Sequence, residues 1–538
     1  MEEVVAGRAA ALAVVLLLMA AAAAAPLCCA NDPTAYFDWD VSYVTASPLG
    51  VPQQVIAVAK QFPGPIVNVT TNWNVVVNVR NSLDEDLLLT WDGIQMRKNC
   101  WDDGVLGTNC PIPPGWNWTY DFQVKDQIGS FFYFPSLGLQ RAAGGYGGII
   151  VNSRDVVPVP FAKPDGDITL FIGDWYIKNH TDLRKMLDDG KDLGMPDGVL
   201  MNGKGPYRYN ATLVPDGIDH ETINVEPGKT YRFRIHNVGV STSLNLRIQN
   251  HNLLLVETEG THTLQQSYTN LDIHVGQSYS FLVTMDQNAS SDYYIVASAR
   301  FVNESLWTRV TGVAILHYSN SRGKASGPLP DPPNDFYYKG FSMNQARSIR
   351  PLDQPPRIGT SVINGSYRGF MEIVFQNDDT RVQTYHIDGY SVFVVGCVQA
   401  TSLPFNRPYA HDRMDYGEWT EDRRDTYNKW DAVYRSTTQV FPGAWTAVYV
   451  SLDNVGIWNV RAENLDTWYL GQEAYMKIVN PERTNKTELP VPDNVLYCGL
   501  LQYLQKPQTH KHSSASSVTN GGKLLAWVLL LASLAMVP

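Results

Sequence analysis

One layout is written three times along this chain, and it limits the fold more than any other feature does. In the first copy, Pro114-Gly115 leads through alternating residues to Gly129-Ser130-Phe131-Phe132-Tyr133 and closes on Gly148-Ile149-Ile150-Val151. The second runs from Val275-Gly276 through Asp292-Tyr293-Tyr294 to Gly312-Val313-Ala314-Ile315-Leu316. The third runs from Pro442-Gly443 through Gly456-Ile457-Trp458 to Gly471 and Ile478-Val479. Each copy ends as strand, long loop, strand, and begins with short runs of Val, Ile, Tyr and Thr in period-two alternation, such as Thr70 to Val79 and Lys229 to Ile235. A single run of this kind cannot close a core, whereas two sheets of them form a Greek-key sandwich. The expected class is therefore all-β, with three consecutive sandwiches.

A length of 538 residues suits about three domains. Proline clusters mark the linkers: Pro158, Pro160 and Pro164, then Pro328, Pro330, Pro332 and Pro333. They place the domains at 31–156, 157–333 and 334–505. The segment from Thr181 to Asp197 suits one short helix. A net charge of −11 excludes nucleic acid as a partner, because phosphate binding needs clustered Lys and Arg.

Both ends read as processing signals. Arg8 followed by the apolar run Ala9 to Ala25 forms a secretory signal peptide over 1–30, cleaved after Ala30 to leave Asn31 as the mature start and to remove Cys28 and Cys29. The tail 506–538 ends in a 15-residue apolar run from Leu524, shorter than the roughly 20 residues a membrane-spanning helix needs. The small residues Ser513 to Ser517, a polar spacer and that short end make a GPI-attachment signal, with Ser514 as the attachment residue and a tail anchor as the alternative. Eight N-x-S/T sequons, at Asn68, Asn117, Asn179, Asn210, Asn288, Asn303, Asn364 and Asn485, agree with secretion. The expected location is the outer face of the plasma membrane and the cell wall or apoplast. Four cysteines remain, Cys100, Cys110, Cys397 and Cys498; they allow three disulfide pairings, or a buried free pair.

The order G-x-[FY]-x-Y-x-x-x-x-G-x-Q-x-x-x-G-x-Y-G-x-x-I-V over Gly129 to Val151 resembles the first domain of plant ascorbate oxidases and laccases, multicopper oxidases built from three cupredoxin domains. In that family the strand reads Tyr-His-x-His, and the matching positions here are Phe134 and Ser136. The motif His-Trp-His-Gly stands as Thr90-Trp91-Asp92-Gly93. His-x-x-His-x-His-Gly-His aligns with Gln383, His386, Asp388, Gly389 and Tyr390. The closing pattern Trp-x-x-His-Cys-His-x-x-x-His-x-x-x-Gly-Met aligns with Trp458, Arg461, Ala462, Glu463, Thr467, Gly471 and Gln472. No histidine lies between Asn31 and Val156. Within that superfamily the chain resembles the plant monocopper-oxidase-like proteins of the skewed-root-growth family.

The resemblance implies a cell-surface protein acting in wall expansion and directional growth, with no catalytic residue and no cofactor expected. Type 1 copper needs a Cys thiolate, which Ala462 does not supply, and the trinuclear cluster needs eight His. It also implies that Cys110 is joined to Cys498, which leaves Cys100 with Cys397. On the same resemblance, Asp92 of the first domain faces His386, Asp388, Arg461 and Glu463 of the third. Buried carboxylates need partners, so these residues are expected to form an ion-pair network. The alternative is a residual oxidoreductase holding one copper ion through His386 and the acids. His180, His220, His236, His251, His262, His274, His317 and His411 read as structural, and His510 and His512 as spacer. Trp101, Trp116, Trp118, Tyr120 and Tyr146 read mostly as core, with a minority available to stack on sugars. The expected partner is a wall polysaccharide, or a wall or surface protein.

Overall fold

The closing hairpin of each repeat forms. Gly129–Pro135 runs antiparallel to Gly147–Asn152, Tyr293–Ala299 to Thr311–Tyr318, and Gly456–Ala462 to Glu473–Val479. In every repeat the second strand of that hairpin also takes a short strand in parallel on its free edge: Val67–Thr70, Glu221–Val225 and Val362–Ser366. Parallel neighbours cannot be joined by a tight turn, so this threefold pairing sets the crossover of the Greek key. The computed structural model describes residues 32–154, 156–207, 219–302, 308–333, 359–379, 381–397, 418–482 and 484–505.

Six sheets result among the described residues, two for each repeat. In the first sandwich, Gln53–Val58, Thr34–Ala46, Asn74–Asn81 and Asn117–Gln123 face Val67–Thr70, Gly147–Asn152, Gly129–Pro135 and Leu89–Asp92. The second pairs a six-stranded with a five-stranded sheet, the third a five-stranded with a four-stranded one. Period-two alternation works as expected in Asn74–Asn81, where Val75, Val77 and Val79 are buried and Arg80 is exposed. One helix, His180–Asp188, lies in the segment expected to hold one. Three of the five aromatics read as core, Trp118, Tyr120 and Tyr146, are buried, while Trp101 and Trp116 are half-buried.

The first and third repeats share one hydrophobic core, in which Ile94, Met96 and Cys100 pack with Ile387, Tyr390 and Trp458. The second repeat has its own core around Phe233, Phe281 and Ile295. Charged strand ends between the first and third sandwiches therefore lie deep in protein.

Cys110 and Cys498 are disulfide-bonded. Cys100 and Cys397 are not; both are free. Cys100 is buried in the 3-10 turn Cys100–Asp102 against Gly456, while Cys397 ends the strand Val392–Cys397 and is exposed. The first thiol is thus held inside the shared core and the second at a surface, and a disulfide needs its two Cα atoms within about 7 Å. Of the sequon asparagines, Asn68, Asn179, Asn288, Asn364 and Asn485 are exposed and Asn117 is half-buried. Asn31, Ser514, Asn210, Asn303, His411, His510, His512 and both end segments lie outside the described residues.

Gly389 carries much of the fit at the turn after Gln383–Ile387. Its φ is +75°, and a Cβ there would lie 2.3 Å from the Trp458 ring. Gly389→Ala combines a left-handed backbone penalty with overpacking, and is expected to cost about 3 kcal/mol. Chemical denaturation of the purified protein measures this, and an unchanged midpoint would contradict the packing described.

Candidate functional site

Two strands of the third repeat set the geometry. Gln383–Ile387 lies between Thr437–Val440 and Gly456–Ala462, with His386 directly opposite Arg461. The chain then turns through Asp388, whose N–H donates to the Asn459 carbonyl. From the first repeat, Leu89–Asp92 delivers Asp92 at its end, just before Gly93. Gly93 has φ +81°, and a Cβ there would lie 2.5 Å from the Phe131 ring, so only glycine lets the strand stop here.

The side chains form one row of alternating charge, buried throughout. Asp92 Oδ1 is 3.1 Å from His386 Nδ1, and His386 Nε2 is 3.2 Å from Asp388 Oδ1. Asp388 Oδ2 accepts from Arg461 Nη1, and Arg461 Nε donates to Glu463 Oε1 at 3.1 Å. Glu463 Oε2 accepts from Arg141 Nη1 at 2.9 Å, and the Glu463 carbonyl accepts from Arg141 Nη2 at 2.5 Å. Each guanidinium also covers an aromatic ring: Arg141 lies 4.4 Å from the Phe134 centroid and Arg461 4.6 Å from that of Trp468.

The structure thus brings together Asp92, His386, Asp388, Arg461 and Glu463, with Phe134 beneath Arg141. Thr90 and Ser136 do something else. Thr90 Oγ1 donates to the Asp103 carbonyl, and Ser136 Oγ donates to the Gly104 carbonyl at 2.7 Å, pinning the turn beside the row. Gln383 and Thr467 meet at 3.2 Å, and the Ala462 N–H donates to the Gln472 carbonyl, so these four form a second group.

Two members were missed from sequence. Arg141 is the single charge in the small-residue loop Leu137 to Gly148, and a lone cation there was the available signal. Asp103 is buried with Asp388 beside it, and nothing in its surroundings along the chain marks it out.

Burial raises the Asp103 carboxyl well above its usual range, and the Asp388 charge adds to this. Burial also raises Asp92, against the pull of His386. For His386 burial opposes the charge, but Asp92 and the Asp388 hydrogen bond win and raise the imidazole to about 9. Asp388 and Glu463 would likewise be raised by burial, but Arg461 beside both and Arg141 beside Glu463 hold them low. Asp92, His386 and Glu463 offer ligand atoms within 4.8 Å of one another. Both nitrogens of His386 and both oxygens of Glu463 nevertheless already have partners in the protein. Of the other expected structural histidines, His180, His236, His251 and His274 are buried, and each has a hydrogen-bonding partner. His317 pairs with Asp292, His262 stands 3.5 Å from Glu257, and His220 is half-buried with its imidazole held below its usual range by burial.

Arg461→Met leaves Asp388 and Glu463 facing each other without their shared cation, at an expected cost of about 3 to 5 kcal/mol. Adding Asp388→Asn should recover part of it, because the two residues share one network; urea unfolding of both variants checks this. His386 also makes stability depend on pH. Its folded value lies above the unfolded 6.5, so its contribution is complete below pH 6.5 and is lost as pH rises through about 9. Asp92, raised as well, works in the same direction. Wild-type stability should fall by about 2 to 3 kcal/mol between pH 6.5 and 9. His386→Gln should flatten that slope, which is read from denaturation midpoints across the range.

Family models described as multicopper oxidase match residues 40–156, 166–321 and 328–484. The monocopper oxidase-like protein SKU5 of Arabidopsis thaliana is 58% identical, covering 94% of this chain and 95% of that protein. An L-ascorbate oxidase homolog of Brassica napus is 42% identical over 89% of this chain and 95% of its own length. Among solved structures, a laccase from Botrytis aclada superposes with a TM-score of 0.68 over 86% of this chain and 90% of the laccase, at 19% identity, a likeness of fold alone. With three matching domains in order and near-complete alignment to oxidase-like relatives, the chain belongs to the multicopper oxidase family and, within it, to the monocopper oxidase-like proteins.

Proposed function

We propose that this protein is a non-catalytic, N-glycosylated surface protein, held on the outer face of the plasma membrane by a GPI anchor. It acts in the cell wall during expansion and directional growth, using an oxidase scaffold as a rigid body that binds a wall polysaccharide or another wall or surface protein. A fold does not carry its family's activity with it; the site does.

The observation that supports this reading is the place of Arg461. It sits where the family resemblance puts a copper-binding histidine, and it is ion-paired with Asp388 and Glu463 on either side. A guanidinium has no lone pair to give a metal and repels a cation. Ala462, next to it, stands at the thiolate position and offers no sulfur. The residues therefore do not fit the blue copper site or the trinuclear cluster.

The clustering of Asp92, His386 and Glu463 within 4.8 Å favours one other reading, a single bound copper ion and a residual oxidoreductase. It fits poorly, since a metal would have to displace the protein partners of His386 and of Glu463 in turn.

Metal analysis of the purified ectodomain separates the readings. Less than about a tenth of a copper ion per chain and no band near 600 nm are expected, because that band needs the thiolate. Stoichiometric copper that disappears in His386→Ala would establish the single-copper reading instead. The anchor has its own test: phosphatidylinositol-specific phospholipase C should release the protein from intact cells, and retention beside a released control protein would refute it.

A further inference from the structure

On a chain of net charge −11, three cations converge on one groove. This cavity of about 420 Å³ is lined by Arg97, Lys98 and Lys125, by Asn99 and Gln123, whose amide nitrogens already donate within the protein, and by Pro490. Lys98 is exposed and pairs with no carboxylate among the described residues. Arg97 holds Asp453 at 2.8 Å, and Lys125 meets its exposed neighbour Asp126 at 3.2 Å. Two carboxyls also line the groove, Asp121 and Asp102. Asp102 is buried, hydrogen-bonded by Asn99 at 2.6 Å and raised by burial to about 7, so Lys98 is the groove cation left without an acid beside it among the described residues.

The backbone is built around this arrangement. Met96 and Lys98 have φ of +42° and +68°, left-handed conformations that cost energy for residues with a Cβ. Hydrogen bonds hold the strained stretch: the Lys98 N–H donates to Asn454 Oδ1 at 3.1 Å, and the Lys98 carbonyl accepts from the Leu489 N–H at 2.8 Å. The result sets Arg97 and Lys98 on the groove wall. A second cleft, of about 400 Å³, adjoins the first along Leu489 and Pro490 and presents Trp101, whose Nε1 donates to the Leu489 carbonyl at 3.2 Å. Cations beside the flat apolar surfaces of Pro490 and Trp101 suit a chain of sugar rings that carry carboxylates. An acidic peptide would satisfy the cations but would leave the proline and indole faces without ring partners.

We infer that the groove of Arg97, Lys98 and Lys125 binds an acidic polysaccharide, a polyuronate, and that the Trp101 cleft extends it. This rests on the wall-binding reading above and names the site and the charge class of its ligand. Asn485 lines the Trp101 cleft, so a glycan on that residue would share the extension and leave the cation groove as the main site.

The experiment is titration calorimetry of the purified, glycosylated ectodomain at low salt, with an oligogalacturonate of about ten residues as probe and a cello-oligosaccharide of equal length as the neutral control. Oligogalacturonate binding is expected, weakened about tenfold by Lys98→Gln with Lys125→Gln and further by 0.5 M salt. A control change on the second repeat, Lys229→Gln, should bind as the wild type does, and thermal melting should show both variants folded. Undiminished oligogalacturonate binding by the double variant would overturn the site, and equal competition by polyglutamate would overturn the saccharide class. Binding of the cello-oligosaccharide alone would refute this groove and keep the wall-binding reading, whereas binding of neither sugar would count against both.

Discussion

Glu463 takes a guanidinium on each carboxylate oxygen, and the join between the first and third sandwiches depends on that fact. Three cations and four acids have left water there, and nothing but protein can replace the lost solvation. Removing water from a charge costs several kcal/mol, recovered only when hydrogen-bonded partners of opposite sign stand at fixed distances. The alternation Asp92, His386, Asp388, Arg461, Glu463, Arg141 meets that condition, because each inner member touches a partner on both sides. The same arrangement bears on protonation: Arg461 and Arg141 hold Asp388 and Glu463 ionised against burial, whereas burial and the Asp388 charge raise Asp103 despite Arg461, and burial raises Asp92 despite His386.

The joins to the second sandwich use the same physics with fewer charges. The buried Glu259 carboxylate accepts from Arg435, from both the N–H and the hydroxyl of Ser436, and from the Thr437 N–H, all in the third repeat. Its carbonyl accepts from the Ser130 N–H in the first. One residue thereby ties the three repeats together. The approach is so close that a Cβ on Gly129 would lie 2.0 Å from that carbonyl, which is why the aromatic strand of the first repeat has to begin with glycine. Arg234 adds a hydrogen bond to Ser130 Oγ at 2.6 Å. Desolvated polar contacts of this kind are satisfied in one relative placement of the repeats, so they specify that placement.

The parts of this picture that are local could be read from the chain. Val75, Val77 and Val79 point inward because strand geometry alternates, whatever the strand pairs with. The three closing hairpins were visible because each carries its own turn glycines. Asp92, Asp388, Arg461 and Glu463 were placed together by resemblance to a family whose motifs meet in space, not by any pattern of their own. Arg141 escaped because its role comes from a loop folding back over Phe134 onto a residue more than 300 positions away. The pairing of Cys100 with Cys397 failed for a related reason: counting thiols says nothing about which of them the packing buries, and Cys100 belongs to the core under Gly456.

By itself, then, the sequence determined the all-β class, the three repeats and the identity of the residues standing at each motif position, since these follow from side-chain periodicity and from glycine and proline placement within a few residues. Only the tertiary structure decided which charges neutralise one another, which thiols stay free, and that the first and third repeats share a core. Those outcomes depend on distances between residues remote in the chain and on how completely water is excluded around them, and neither quantity is encoded in any local stretch.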